Sequence, residues 1–123
     1  MERASSINSY KDLEIWQRSK IFAVSLYKAT QNFPSSEVYS LTNQMRRAAI
    51  SIPSNIAEGF RRKSKLEKLQ FLRIAYGSGA ELETQLEISN DLGYLNEDVY
   101  KTISKEIDEI MRMINRTIGA LGQ

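Results

Sequence analysis

The sequence of 123 residues contains no histidine and no cysteine. Without them the chain cannot form a Ser-His-Asp or Cys-His catalytic group, a zinc site built on Cys or His, or a histidine pH switch. A ferritin-like di-iron site, which normally takes histidine from two helices, is also disfavoured. We therefore expect a protein that is not an enzyme, holds no metal and needs no cofactor.

Proline, glycine and long apolar runs are also scarce. Two prolines and six glycines leave room for long helices. No apolar run approaches the roughly 18 residues that a membrane span needs. The first residues lack the apolar stretch of a signal peptide, so a cytoplasmic location without membrane association is expected.

Apolar residues recur at three- and four-residue spacing along four segments, which is the pattern of amphipathic helices. The segments cover about residues 12–32, 37–60, 64–93 and 95–121. A capping box of Ser64 and Glu67 opens the third helix, and Gly93 is placed to end it. Pro53 lies inside the second helix, where we expect a kink because proline removes a backbone hydrogen bond and presses on the preceding turn.

This spacing also predicts which residues face inward. They are Leu13, Ile15, Trp16, Phe22, Ala23, Leu26, Tyr27, Val38, Leu41, Met45, Ala48, Ile52, Ile56, Leu69, Leu72, Ala75 or Tyr76, Gly79, Leu82, Leu86, Val99, Ile103, Ile107, Ile110, Ile114, Ile118 and Leu121. Short connections make sequential helices antiparallel. The predicted fold is an all-α, up-and-down antiparallel four-helix bundle in residues 12–123, preceded by a flexible segment, residues 1–11.

Gly77-Ser78-Gly79 has the composition of a phosphate-binding loop, but such a loop needs a strand before it and a helix after it. These glycines lie inside the predicted third helix, where each costs about 1 kcal/mol relative to alanine. We interpret them, together with Ala75 and Ala80, as a small surface that a neighbouring helix approaches closely.

A polar stripe runs along the second helix, and Glu81 of the third helix is placed to face it. Its residues are Gln44, Arg47, Ser51, Ser54, Asn55 and Glu58. A catalytic interpretation would pair the carboxylates of Glu58 and Glu81. We favour a structural polar network between helices or subunits, with Arg47 as the ion-pair partner, because a buried charge demands a partner.

Charge is unevenly distributed, although the net charge is only +2. Residues 36–80 have eight Lys or Arg against three Asp or Glu, a net of +5, whereas residues 81–123 have a net of −5. Five positive charges cluster where the second and third helices meet. This basic cluster consists of Arg61, Arg62, Lys63, Lys65 and Lys68.

Three interpretations of the basic cluster stay open. With the N–H groups at the start of the third helix, it could hold phosphates of RNA or DNA without reading sequence, joined by Arg46 if that side chain faces outward. It could instead be solvated surface, or pair with the acidic segment of another subunit. No aromatic residue is interleaved with the basic run, which argues against stacking on single-stranded bases.

Several blocks of the sequence resemble one family. They are Asp12-Leu13-Glu14-Ile15-Trp16-Gln17, Phe33-Pro34-x-x-Glu37-x-Tyr39-x-Leu41, the stretch from Gln44 to Gly59, Phe71-Leu72-x-Ile74-Ala75-x-Gly77-Ser78 and Glu81-Leu82-Glu83-x-Gln85-Leu86. Together they are similar to the four-helix bundle proteins encoded in intervening sequences of bacterial 23S rRNA genes, over roughly residues 10–118. Gly79 departs from the pattern, because a larger apolar residue is expected there.

The resemblance implies an up-and-down bundle that assembles into a closed ring, typically a pentamer. It extends to the accessory bundle protein of diversity-generating retroelements, which is basic, pentameric and works with a reverse transcriptase and nucleic acid. No activity or catalytic residue carries over. We therefore expect a homo-oligomer that binds RNA or DNA through the basic cluster. The alternative is a protein-interaction scaffold or accessory subunit that has a protein partner and no direct nucleic-acid role.

Overall fold

The computed structural model describes residues 7–122, and most of these residues lie in four α-helices. Helix α1 is Glu14–Ala29, α2 is Leu41–Arg61, α3 is Lys65–Asp91 and α4 is Glu97–Gly122. Short 3-10 turns at Tyr10–Asp12 and Ser35–Glu37 precede α1 and α2. The predicted flexible segment, residues 1–11, lies mostly outside the described residues. None of the helices in residues 7–122 is long and apolar enough to cross a membrane.

The four helices form a closed bundle. Each packs on the next along the chain, and α1 also packs on α4. Met45 near the start of α2 contacts Ser89 near the end of α3, with 3.3 Å between Sδ and Oγ. Gly59 near the end of α2 lies against Phe71 near the start of α3, so these two helices are antiparallel. The predicted all-α four-helix bundle is confirmed.

The predicted inward faces supply the hydrophobic core. Its largest fully buried apolar side chains are Phe22, Leu26, Met45, Ile52, Ile56, Leu82, Leu86, Ile107, Ile110 and Ile114. Of the two alternatives in α3, Ala75 is buried and Tyr76 is exposed. The prediction for Val38 is wrong, because α2 begins only at Leu41 and leaves the Val38 side chain 45% exposed. Tyr27 is also exposed rather than inward.

Local capping fixes both ends of α3 and the start of α4. Ser64 Oγ accepts a hydrogen bond from the Glu67 N–H at 3.1 Å, which is the serine half of the predicted capping box. The Glu67 carboxylate accepts from Ser64 Oγ, so the second half of the box does not form. Gly93 follows the end of α3 with a φ of 77°, a conformation that glycine adopts without strain. Asn96 Oδ1 accepts a hydrogen bond from the Val99 N–H at 2.8 Å. Helix α2 continues through Pro53 without division, and the kink there stays a prediction.

Only one of the two glycines in Gly77-Ser78-Gly79 marks a close helix contact. A methyl group added to Gly79 would lie 2.1 Å from Met111 Sδ, so α4 packs directly on the α3 backbone at this point. The same group on Gly77 would meet no atom within 4 Å. The predicted small surface is confirmed for Gly79 and buried Ala75 but is wrong for Gly77 and Ala80, which are exposed.

Candidate functional site

The polar stripe of α2 is joined to α3 through hydroxyl groups. The Oγ atoms of Ser51 and Ser78 are 2.8 Å apart. Asn55 Nδ2 donates to Ser51 Oγ at 2.9 Å and to the Ser51 carbonyl at 2.8 Å. Ser54 is exposed. The residues that border the shallow depression at this contact are Gln44, Arg47, Ala48, Ser51, Ser78 and Glu81.

The carboxylates of Glu58 and Glu81 do not form a pair. Because Ser51 faces Ser78 on antiparallel helices, Glu81 lies level with residue 48, ten residues before Glu58. Ten residues span about 15 Å of helix, whereas two carboxylates that act on one bond are roughly 5–10 Å apart. Glu58 instead forms a salt bridge at 2.7 Å with Arg62, the residue that follows α2, in place of the expected ion pair with Arg47.

The basic cluster lies at the end of the bundle where α2 ends and α3 begins. Arg61, Lys63 and Lys65 are exposed there. Within residues 7–122, no carboxylate lies at salt-bridge distance from these three side chains. Three cations therefore face solvent within one short turn of chain, which suits them to contact the phosphates of a polyanion.

Two members of the cluster already have partners inside the protein. Arg62 is bonded to Glu58, and its guanidinium lies 4.8 Å from the centre of the Phe71 ring. Lys68 Nζ donates to the Phe60 carbonyl at 3.0 Å. That carbonyl belongs to the last turn of α2, where the helix itself provides no donor. Arg62 and Lys68 thus join α2 to α3, and they are less available than the exposed cations to bind a phosphate.

An aromatic ring lies beside the basic cluster although it is distant in sequence. The guanidinium of Arg61 is 5.4 Å from the centre of the Tyr10 ring, a cation–π contact. Asn8, Ser9, Tyr10, Phe60 and Arg61 border a depression of about 330 Å³. The basic run itself contains no aromatic residue, but in the folded protein Tyr10 places an aromatic ring beside it.

The structure separates Arg46 from the basic cluster. Arg61 comes fifteen positions after Arg46 in α2, which corresponds to about 22 Å along the helix. Arg46 is half-buried, and its guanidinium donates to Thr30 Oγ1 at 2.9 Å and to the Tyr27 carbonyl at 3.1 Å. This arginine caps the C-terminal end of α1, so it is not part of the candidate phosphate-binding surface.

A cavity of about 290 Å³ opens between all four helices at the basic end. Its lining consists of Leu13, Ile15, Ile56, Gly59, Phe60, Lys68, Leu72, Thr117 and Leu121. Sequence reasoning did not predict this cavity, because its residues come from four separate segments. The available signal was that Leu13 and Leu121 lie at the extreme ends of their inward stripes, where no further layer covers them.

An acidic groove runs between α3 and α4. Glu83, Glu87 and Asp108 border it, together with Ser104. Burial, and then the negative charge of Asp108, raises the pKa of Glu83 above 4.5. Because its pKa is raised, ionised Glu83 destabilises the folded protein slightly. Residues 7–122 contain no group of acidic side chains arranged to hold a metal ion.

Glu83→Gln is expected to raise the free energy of unfolding at pH 7. Because the folded state raises the pKa of Glu83, it binds that proton more tightly than the unfolded chain, and stability falls as pH rises through the shifted pKa. Glutamine carries no charge, so the gain is present at neutral pH and disappears below pH 4.5. Urea unfolding of both proteins at pH 7 and pH 4 measures it; an equal gain at pH 4 would exclude ionisation as the cause.

Comparison with known proteins agrees with this fold. The family model described as 23S rRNA-intervening sequence protein matches residues 11–116. The chain is also similar to the crystal structure of a protein of unknown function from the S23 ribosomal protein family of Bacteroides thetaiotaomicron. The TM-score is 0.77 and the identity 26%, covering 85% of this chain and 97% of that one. No curated protein matches the chain. With most of its length matched, the chain belongs to the family of 23S rRNA-intervening sequence proteins.

Proposed function

We propose that the protein is a non-enzymatic homo-oligomer that binds the phosphate backbone of RNA or DNA through its basic end. The observation that carries this proposal is the exposed group of Arg61, Lys63 and Lys65. Contacts of this kind position a protein on nucleic acid without reading base sequence. The family description, which refers to 23S rRNA, favours RNA as the first ligand to test.

The charge difference between the two ends of the bundle supports the same proposal. The α3–α4 connection lies at the end opposite the basic cluster, and Asp91, Glu97 and Asp98 are exposed around it. A polyanion is attracted to the basic end and repelled from the acidic end. The bundle would therefore approach nucleic acid in one orientation.

Exposed apolar side chains support self-association. Ile21 and Val24 on α1 are 59% and 49% exposed, and Ile74 and Ile88 on α3 are 50% and 46% exposed. A ring in which the α1 surface of one subunit meets the α3 surface of the next would cover all four, and such a head-to-tail interface closes when the rotation is right. A pentamer, which the family resemblance implies, would place all basic ends on one side and strengthen binding through multivalency.

Alanine at Arg61, Lys63 and Lys65 together is expected to weaken binding to a duplex RNA by at least about tenfold at low salt. The slope of log affinity against log salt should become shallower by about one unit for each phosphate contact that is lost. Fluorescence polarisation of a labelled duplex across a salt series measures both quantities. Light scattering with and without the duplex reports the subunit number in the same samples.

The matched control removes three cations from α4 instead, as Lys101→Ala, Lys105→Ala and Arg112→Ala. Both variants lose the same formal charge, so a general loss of electrostatic attraction to RNA would weaken the binding of both equally. If the two variants bind equally well, the basic end is not the binding site. An intact ring that binds neither duplex RNA nor duplex DNA would favour the protein-interaction scaffold instead.

A further inference from the structure

The cavity at the basic end lies beside the exposed cations, and Lys68 is the member of the basic cluster that lines it. At about 290 Å³ it lies near the lower limit of small-molecule sites, which are roughly 300–1,000 Å³. Its described lining is apolar apart from Thr117 and Lys68. Thr117 Oγ1 already donates to the Met113 carbonyl at 3.0 Å. Lys68 therefore supplies the single charged group in an otherwise apolar lining.

We propose that this cavity binds the apolar chain of a carboxylate, such as a medium-chain fatty acid, with the carboxylate at Lys68. The ammonium group has three N–H donors, and one is used by the Phe60 carbonyl. The others can bond a carboxylate at the mouth of the cavity. The chain then covers Leu13, Leu72 and Leu121, whose burial favours binding through the hydrophobic effect.

The charge around the cavity favours an anion. Arg61, Lys63 and Lys65 lie at the same end of the bundle. The carboxylates of Asp12, Glu58 and Glu67 at this end already accept hydrogen bonds, from the Asn8 and Ser9 N–H groups, Arg62 and Ser64 respectively, and Glu14 is exposed to solvent. A cationic head group would be repelled by this surface. A nucleic-acid base would lose its hydrogen bonds to water in a lining that offers only Lys68 as a charged donor, and burial of unpaired polar groups is unfavourable.

The experiment uses the whole protein, with decanoate and decan-1-ol as probes below the concentrations at which they aggregate. Decanoate is expected to bind saturably at one site per chain, measured by calorimetry. Methyl NMR shifts should concentrate on Leu13, Ile15, Leu72 and Leu121. Lys68→Met keeps the apolar part of the side chain and removes the charge, so it should weaken the binding of decanoate by about tenfold or more. Its affinity for decanol should change by less than about twofold.

Lys65→Met is the matched control, because Lys65 belongs to the same cluster but does not line the cavity. It should leave decanoate affinity within about twofold of the original protein. Thr117→Phe, which fills the cavity from α4, should abolish binding of both probes while circular dichroism shows the helices intact. Equal weakening by Lys65→Met and Lys68→Met would overturn the proposal, as would shifts spread over exposed methyl groups without saturation. The proposal is independent of RNA binding, since decanoate and duplex RNA are titrated separately.

Discussion

Replacing Gly79 with leucine is expected to lower the free energy of unfolding by about 2–3 kcal/mol. The position that a Cβ atom would take is occupied by Met111, whose Sδ would lie only 2.1 Å away. Met111 is flexible but 6% exposed and packed in the core, so its side chain can move aside only by disturbing its neighbours. Leucine therefore overpacks the contact between α3 and α4, which weakens the packing of neighbouring core residues.

Gly77→Ala is the matched control for this substitution. Gly77 lies two residues earlier in the same helix, and an added methyl group meets no atom there. Alanine is the better helix former, so this variant should be about 1 kcal/mol more stable than the original protein. Urea unfolding followed by circular dichroism measures both changes. A Gly79→Leu protein as stable as the original would mean that the packing of Met111 does not restrict the size of the residue at position 79.

Replacing Ile52 with alanine is expected to lower the free energy of unfolding by about 2–5 kcal/mol. The Ile52 side chain is 0% exposed and belongs to the layer of α2 that faces the centre of the bundle. Removing its outer carbons leaves a cavity that the surrounding helices fill only in part. Small domains have a total stability of roughly 5–15 kcal/mol, so thermal unfolding should begin at a markedly lower temperature.

Ile50→Ala tests the same residue change on the outer face of α2. Ile50 is 44% exposed, and a substitution there should change stability by less than about 1 kcal/mol. Both variants are measured at several protein concentrations, because the stability of an oligomer depends on concentration. Equal losses would mean that the inward face of α2 is wrongly assigned. A loss for Ile50 that grows with concentration would place that residue in a subunit interface.

Local chemistry made most of the fold predictable. The ends of α3 depend on Ser64 and Gly93, which act on residues only a few positions away. The inward stripes were equally readable, since Met45, Ile52 and Ile56 follow helical spacing and are all buried. Signals of this kind are complete within one segment of sequence, so they could be recognised without knowledge of the fold.

The boundaries between α1 and α2 were less predictable because distant residues determine them. Helix α1 ends at Ala29 rather than at residue 32. At this end Arg46 of α2 donates hydrogen bonds to the Tyr27 carbonyl and to the Thr30 hydroxyl. Helix α2 begins at Leu41 rather than at Glu37. The Glu37 carboxylate accepts hydrogen bonds from Ser40 Oγ at 2.6 Å and from the Tyr94 hydroxyl at 2.8 Å, which hold the preceding turn outside the helix.

The candidate site was predictable in composition but not in geometry. A run of basic residues is visible in the sequence, and the exposure of Arg61, Lys63 and Lys65 agrees with it. That Lys68 faces a cavity and that Tyr10 lies beside Arg61 depend on how four segments meet. Arg46 shows the converse, since an arginine with no local partner in sequence is bonded to another helix.

The hydrogen bond between Tyr94 and Glu37 has a consequence for how the bundle moves. Together with the contact between the Phe33 and Tyr94 rings, whose centres are 5.3 Å apart, it ties the α1–α2 and α3–α4 connections to each other. At the opposite end Arg62 and Lys68 join α2 to α3, but a cavity lies between the four helices. Thermal fluctuations should therefore separate the helices first at the cavity end, since local opening begins where buried contacts are fewest. We therefore expect the acidic end to be the more rigid and the basic end, where a ligand would have to be accommodated, to be the more adaptable.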